Sequence, residues 1–248
     1  EYHQTTWCAQ KAITFIEMNA SFNRPWLFSV NPFDPHHPFD PPEEYLQPYL
    51  DRLEEIPLPN YTPGELEEKP PFQKIDHQHA YNNPRLYSAA RTSDDEHRLI
   101  RAAYWAMIDL IDAQVGRLLD TLEATGQREN TLIIFMSDHG EMLGDHGLYL
   151  KGPFFYEPAI RVPLIIAGPG IEDRQSAQEG AAQQARLCAQ LLGAPQGADQ
   201  RPLGGGALTD RAPDPDDERS CHAPGLSPRT LRESRGFRFR GEDLLQLG

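Results

Sequence analysis

The sequence predicts an α/β fold, a mostly parallel sheet sandwiched by helices, and three features of its 248 residues carry that expectation. Two bulky apolar runs, TLIIFM at 131–136 and VPLIIA at 162–167, are continuous rather than alternating, the pattern of strands covered on both faces. A third short run, WLFSV at 26–30, follows Pro25 and also suits a buried strand. A long amphipathic segment lies between the first strand and the next, so strand, helix and strand alternate and right-handed crossovers are expected.

The elements follow in order. Residues 5–17 place Trp7, Ala9, Ala12, Ile13 and Ile16 at helical spacing ahead of WLFSV. The prolines of NPFDPHHPFDPP (31–42) then forbid regular structure and force a rigid, extended loop that carries His36 and His37. From Pro41 to Arg91 the chain holds nine prolines and no convincing periodicity, which predicts a surface excursion near a site where it could shape specificity. Ser93-Asp94-Asp95-Glu96 reads as a capping box. Ile100, Tyr104, Ile108, Ile111, Val115, Leu118 and Leu122 then share one helix face, and Gly126 is the expected C′ stop.

Beyond Ile171 the composition changes: residues 172–248 contain no Val, Ile, Met, Tyr, Trp, Lys or Asn. They read as a disordered tail or as the product of a reading-frame slip in a GC-rich gene, with AAQQARLCAQLLG (181–193) the one helix-like piece. The chain therefore divides into residues 1–171, the organised part, and a tail at 172–248. It opens on Glu1 with no initiator Met or apolar leader, and so reads as beginning mid-protein.

Bulk composition excludes some partners. A net charge of −14 gives no general support to a phosphate-tracking nucleic-acid surface. No run of about 18 apolar residues suggests a transmembrane segment. Cys8, Cys188 and Cys221 match no zinc or redox spacing.

The chemistry gathers in SDHGEMLGDHGLYLKG (137–152), where Asp138 and His139 follow TLIIFM directly. In open α/β sheets ligands collect at the carboxyl ends of strands. A carboxylate beside an imidazole suits a divalent cation of the calcium, manganese or magnesium kind. The alternative is that Asp138 caps a helix starting near Gly140 while His139 bonds locally. Lys151 is either a solvated charge or a cation held in place by the Gly152-Pro153 turn. His36 is either an ordinary loop histidine or a general acid to a departing oxygen.

The string SDHGEMLGDHGLYLKGPFFYEPAIRVPLIIAGPG resembles the sulfatases of the alkaline-phosphatase-like superfamily, in the branch with Asp-His at the metal typified by choline-sulfatase-like and iduronate-sulfatase-like enzymes. PHHPFDPPEEYL is similar to that family's histidine loop, and AAYWAMIDLIDAQVGRLLDTLEATGQRENTLIIFMSDHG resembles its helix-strand lead-in. The likeness runs from about residue 3 to Ile171, as the later part of a catalytic domain.

The resemblance implies an alkaline-phosphatase-like sheet, incomplete here, and metal-dependent hydrolysis of a small-molecule or saccharide sulfate ester. It implies that Asp138 and His139 ligate a divalent metal, usually calcium, that Lys151 contacts the sulfate oxygens, and that His36 faces the leaving group. His37 looks like the variable neighbour. Glu141, Asp145 and His146 belong to the string without a shared role, and Arg161 is expected to brace the fold. The family's nucleophile is a formylglycine made within C/S-x-P-x-R, and no such signature occurs: Cys8 sits in WCAQK, Cys221 in CHAPG and Ser227 in SPRT. A phosphonate monoester or phosphodiester hydrolase of the same superfamily, and a catalytically inactive remnant, are the competing readings.

Overall fold

The computed structural model describes residues 3–22 and 24–171; the tail, its helix-like piece at 181–193 included, lies outside the described residues. The first helix, α1 (Gln4–Asn19), buries Ala9, Ala12, Ile13 and Ile16 along one stripe, as the spacing requires. Trp7 departs from that expectation: it is 52 % exposed, and its ring lies under the Lys11 ammonium at 5.4 Å. The indole instead joins the solvent side of the helix.

WLFSV forms no ladder. Trp26 packs edge-on to Phe15 at 5.5 Å and donates its indole N–H to Gln127 Oε1 at 3.1 Å, and Phe28 stacks on Phe15 at 4.4 Å, while Leu27 is 93 % exposed. The segment is thus held by its aromatic side chains and not by strand pairing.

The proline-rich excursion is more ordered than its composition suggested. Two eight-residue helices interrupt it, α2 (Glu43–Leu50) and α3 (Pro71–Gln78). Proline starts both: Pro42 caps α2 ahead of Glu43 and Glu44, and Pro71 opens α3, where a missing N–H costs nothing. Tyr49 of α2 donates to Asp109 Oδ2 at 2.7 Å and packs edge-on to Trp105, so the excursion lies against the long helix.

That helix, α4 (Asp94–Ala124), is the frame. Ser93 accepts from the Glu96 N–H while Glu96 reaches back to the Ser93 N–H at 2.8 Å, a complete capping box. At the other end Gly126 adopts φ +67°, Gly126 N–H bonds Glu123 O at 3.0 Å and Gln127 N–H bonds Leu122 O at 2.9 Å, the two bonds of a Schellman motif.

The strands are shorter than their apolar runs, β1 (Ile133–Met136) and β2 (Leu164–Ala167), and they pair antiparallel with Ile133 opposite Ala167 and Met136 opposite Leu164. Among the described residues, then, the observed pair is antiparallel where crossover-linked parallel strands were expected. The reason is the connection: a parallel neighbour needs a crossover, usually a helix, but residues 137–163 hold a folded loop and one turn of helix, α5 (Glu157–Ile160). One face of β1, Ile133 and Phe135, lines a small apolar cavity together with Val115 and Leu119 of α4. The other, Ile134 and Met136, is exposed, so β1 is not covered on both faces as its composition predicted.

Three buried clusters form the core, two of them built on the loop after β1 and the third between α4 and the excursion. Met142, Leu148, Phe154 and Ala159 form one, Ala80, Tyr149 and Leu150 a second, and Ile56, Ala102 and Trp105 a third. Met142 and Leu148–Leu150 are fully buried, so residues 142–150 are a core element despite having almost no regular secondary structure.

Candidate functional site

Asp138 and His139 leave the end of β1 on a loop stitched to the chain just before β2. Gly140 N–H donates to Ala159 O at 2.8 Å and Glu141 N–H to Pro158 O at 3.0 Å. Gly140 is required by this approach: a Cβ there would lie 1.9 Å from the Pro158 carbonyl oxygen. No helix starts at Gly140, so Asp138 is not a helix cap; its Oδ1 accepts the N–H of His139 at 3.0 Å.

Asp138 is open to water, its side chain 88 % exposed, and its Oδ2 lies 4.0 Å from His139 Nε2. His139 Nδ1 sits 2.8 Å from the carbonyl oxygen of Gly140. A carbonyl can only accept, so Nδ1 holds the proton and Nε2 presents a lone pair on the Asp138 side. A carbonyl-anchored imidazole of this kind is the usual arrangement of a metal-ligating histidine. Among the described residues no three carboxylate, imidazole or thiol groups converge into a full ligand set.

Lys151 lies within electrostatic reach of Asp138, Glu141 and His37. Burial draws its ammonium below the ordinary lysine value, and the Glu141 and Asp138 charges draw it back up. His36 comes from the proline loop. Its N–H closes a turn on Phe33 O at 3.1 Å, and its Nδ1 sits 2.7 Å from the carbonyl of His37, to which it must donate. The His36 ring stacks on His37 at 4.2 Å and meets the His139 ring edge-on at 6.5 Å. All four residues singled out by sequence, His36, Asp138, His139 and Lys151, therefore converge on one patch.

Two neighbours were not singled out. Glu141 faces the same patch, and burial pushes its carboxyl up to about 7 against the opposing pull of the Leu143 and Leu150 N–H groups, Lys151 and His139. The signal was its place in DHGE, two residues past His139. His37 carries a buried Nδ1 with no hydrogen-bond partner among the described residues, and burial, His36 and Lys151 together hold its imidazole below the usual value.

The remaining residues of the string brace the structure. Asp145 pairs with the buried guanidinium of Arg101 and accepts the Asn60 N–H at 2.8 Å; His146 Nδ1 lies 2.9 Å from Glu65 and its ring stacks on Tyr156 at 4.1 Å. His77 Nδ1 meets the Gly147 carbonyl at 2.7 Å and the His146 N–H donates to Asn60 O at 2.8 Å. These contacts moor the 41–91 excursion to the loop. Arg161 is exposed and lies 3.8 Å from Glu157, one helical turn away, a weak brace.

Comparison with known proteins adds the wider context. The Sulfatase family model matches residues 1–196. The chain is 37 % identical over 175 residues to the uncharacterized sulfatase YidJ of Escherichia coli, covering 68 % of this chain and 32 % of that protein. It is 39 % identical over 148 residues to the choline-sulfatase of Rhizobium meliloti, covering 60 % of this chain and 27 % of that one. Among solved structures, a phosphonate monoester hydrolase from Silicibacter pomeroyi superposes with a TM-score of 0.60 at 28 % identity, over 68 % of this chain and 33 % of its own. The chain thus spans about a third of the length of the curated relatives it matches. With the family model matched over most of its length, and with its fold shared with that hydrolase, the chain belongs to the sulfatase family of the alkaline-phosphatase-like superfamily.

Proposed function

We propose that these residues serve the hydrolysis of a small-molecule or saccharide sulfate monoester. In this reading Lys151 holds the nonbridging ester oxygens, His36 protonates the departing oxygen, and Asp138 and His139 ligate a divalent cation, calcium first, with manganese or magnesium as alternatives. The observation that carries it is the convergence of an ammonium, a carboxylate and two carbonyl-anchored imidazoles on one patch at the end of β1.

Each group meets a demand of the reaction. Cleavage moves negative charge toward the leaving oxygen, and cationic groups fixed beside the ester oppose that build-up. A bound cation supplies such charge without a proton. Lys151 adds a second positive centre, its charge favoured by Glu141 and Asp138 against the pull of burial. In this role His36 acts as the imidazolium: its Nδ1–H stays donated to the His37 carbonyl, and the Nε2 proton passes to the leaving oxygen, which leaves the ring neutral. The reading assigns no nucleophile within residues 1–248, so turnover is proposed for the full-length gene product and not for these residues alone.

The fold proposal is that β1 and residues 26–30 belong to a larger, mostly parallel sheet sandwiched by helices. Exposed apolar side chains support it: Leu27, Ile134 and Met136 face outward at positions where a sheet would bury them.

A second reading, hydrolysis of a phosphonate monoester or phosphodiester, is favoured by the superposition on the Silicibacter pomeroyi phosphonate monoester hydrolase. Values of kcat/KM on matched aryl sulfates and aryl phosphonates decide between the two. For either ester, chelation of divalent ions abolishes turnover, and Lys151→Ala lowers kcat by roughly a hundredfold or more. Turnover indifferent to both treatments refutes the site.

A further inference from the structure

The loop that carries His36 has a tether of its own. Asp34, two residues before His36, is 8 % exposed, although a loop carboxylate ordinarily faces water. Its Oδ2 accepts the hydroxyl of Thr5 at 2.5 Å and lies 3.4 Å from His3 Nδ1. Thr5 is itself buried in the first turn of α1, whose N-cap is His3. Burial raises the Asp34 carboxyl above its ordinary value, with Asp40 adding to the rise, while the Thr5 hydroxyl and His3 pull it back down. A buried polar group of this kind is retained where its bond fixes a geometry.

The tether acts over a short lever. Pro35 alone separates Asp34 from His36, its ring restricts φ, and the His36 N–H closes the Phe33 turn at 3.1 Å. At its other end the tether is rigid: α1 packs through Ala9, Ala12, Ile13 and Ile16, and its Gln10 accepts from Arg117 of α4 at 2.6 Å. The long helix α4 therefore also holds, through α1, the loop that carries His36.

We infer that Asp34, gripped by Thr5 of α1, is the positioning residue that aims His36 at the leaving oxygen of the ester. Asp34 touches no reacting atom, and the inference rests on the reading of His36 as proton donor.

Leaving-group dependence separates this role from a merely structural one. An ester of an acidic phenol departs with little need of a proton, whereas an ester of a weakly acidic alcohol needs one. The full-length gene product is assayed on para-nitrophenyl sulfate, phenyl sulfate and an alkyl sulfate. Thr5→Val, which removes one hydroxyl, and Asp34→Ala should each lower kcat about tenfold or more for the alkyl ester and less than about twofold for para-nitrophenyl sulfate. Asp34→Asn, which keeps an oxygen for Thr5, should restore most of the alkyl activity. A uniform loss across the three esters, or none, overturns the inference while leaving His36 untouched, provided His36→Ala itself shows the leaving-group dependence. A flat response of His36→Ala overturns both. Should Asp34→Ala fail to fold, Thr5→Val with an unchanged Tm decides alone.

Discussion

Replacing Gly140 with alanine sets a methyl group where the chain already runs. An ideal Cβ at that position falls 1.9 Å from the Pro158 carbonyl oxygen and 3.0 Å from its carbon. Both obstacles are backbone, so no side-chain rotation relieves them, and the two segments must part by about 1 Å before the nearest contact reaches 3.0 Å. That movement stretches the Gly140 to Ala159 bond at 2.8 Å and the Glu141 to Pro158 bond at 3.0 Å. At about 1 kcal/mol for each bond and a similar amount for residual strain, Gly140→Ala costs about 3 kcal/mol. A second glycine supplies the contrast. A Cβ on Gly116, inside α4, meets nothing within 4 Å, so Gly116→Ala should stabilise by about 0.5–1 kcal/mol. Urea denaturation followed by circular dichroism reads both, with midpoints moving in opposite directions at unchanged slope. A Gly140→Ala midpoint equal to that of the parent refutes the claim that the Asp138-His139 loop is stitched to the segment before β2.

The other predictions concern the mooring of the loop and its response to acid. Asp145→Asn leaves the buried Arg101 guanidinium without its counter-charge and should cost about 3 kcal/mol, while Arg101→Met combined with Asp145→Asn should cost less than the sum of the two single changes; strict additivity in urea melts would deny the coupling. His97 stacks on Tyr149 at 5.6 Å, and burial, with Arg101 next, holds its imidazole below the ordinary histidine value of 6.5. A depressed folded value means the unfolded chain binds the proton more readily, so the stability this histidine contributes is full above 6.5 and falls away as the pH drops below it. His97→Gln should flatten that part of the stability profile between neutral and mildly acidic pH, and an unchanged slope would count against it.

The long helix was legible because its signals are local: a capping box at Ser93, a 3.6-residue apolar stripe and a glycine stop at Gly126 each constrain a few neighbouring residues. The proximity of the four candidate residues was legible for another reason, since Asp138, His139 and Lys151 lie in one short string and His36 in a loop whose prolines mark it. What sequence could not supply depends on contacts distant along the chain. Helices α2 and α3 are eight residues each, too short for periodicity to register, and their stability comes from Tyr49 on Trp105 and from the mooring at His77. The direction of β2 is set by how residues 137–163 fold back, which no apolar run encodes. Trp7 was misjudged because spacing identifies a stripe without saying which large residue at its margin stays outside.

The mooring of the proline-rich excursion bears on how such a chain can change over evolutionary time. Side chains fasten the excursion at Tyr49, Ile56 and Ala80, and other fastenings use main-chain atoms on one or both sides: Asn60 to Asp145, His146 to Asn60, His77 to Gly147. A main-chain fastening does not depend on the side chain of the residue that supplies it, so exposed stretches between the anchors can drift or exchange chemistry without disturbing the patch at the end of β1. If the proposed ester chemistry holds, new substrate preferences can be explored in the excursion while the charge arrangement beneath it is inherited intact.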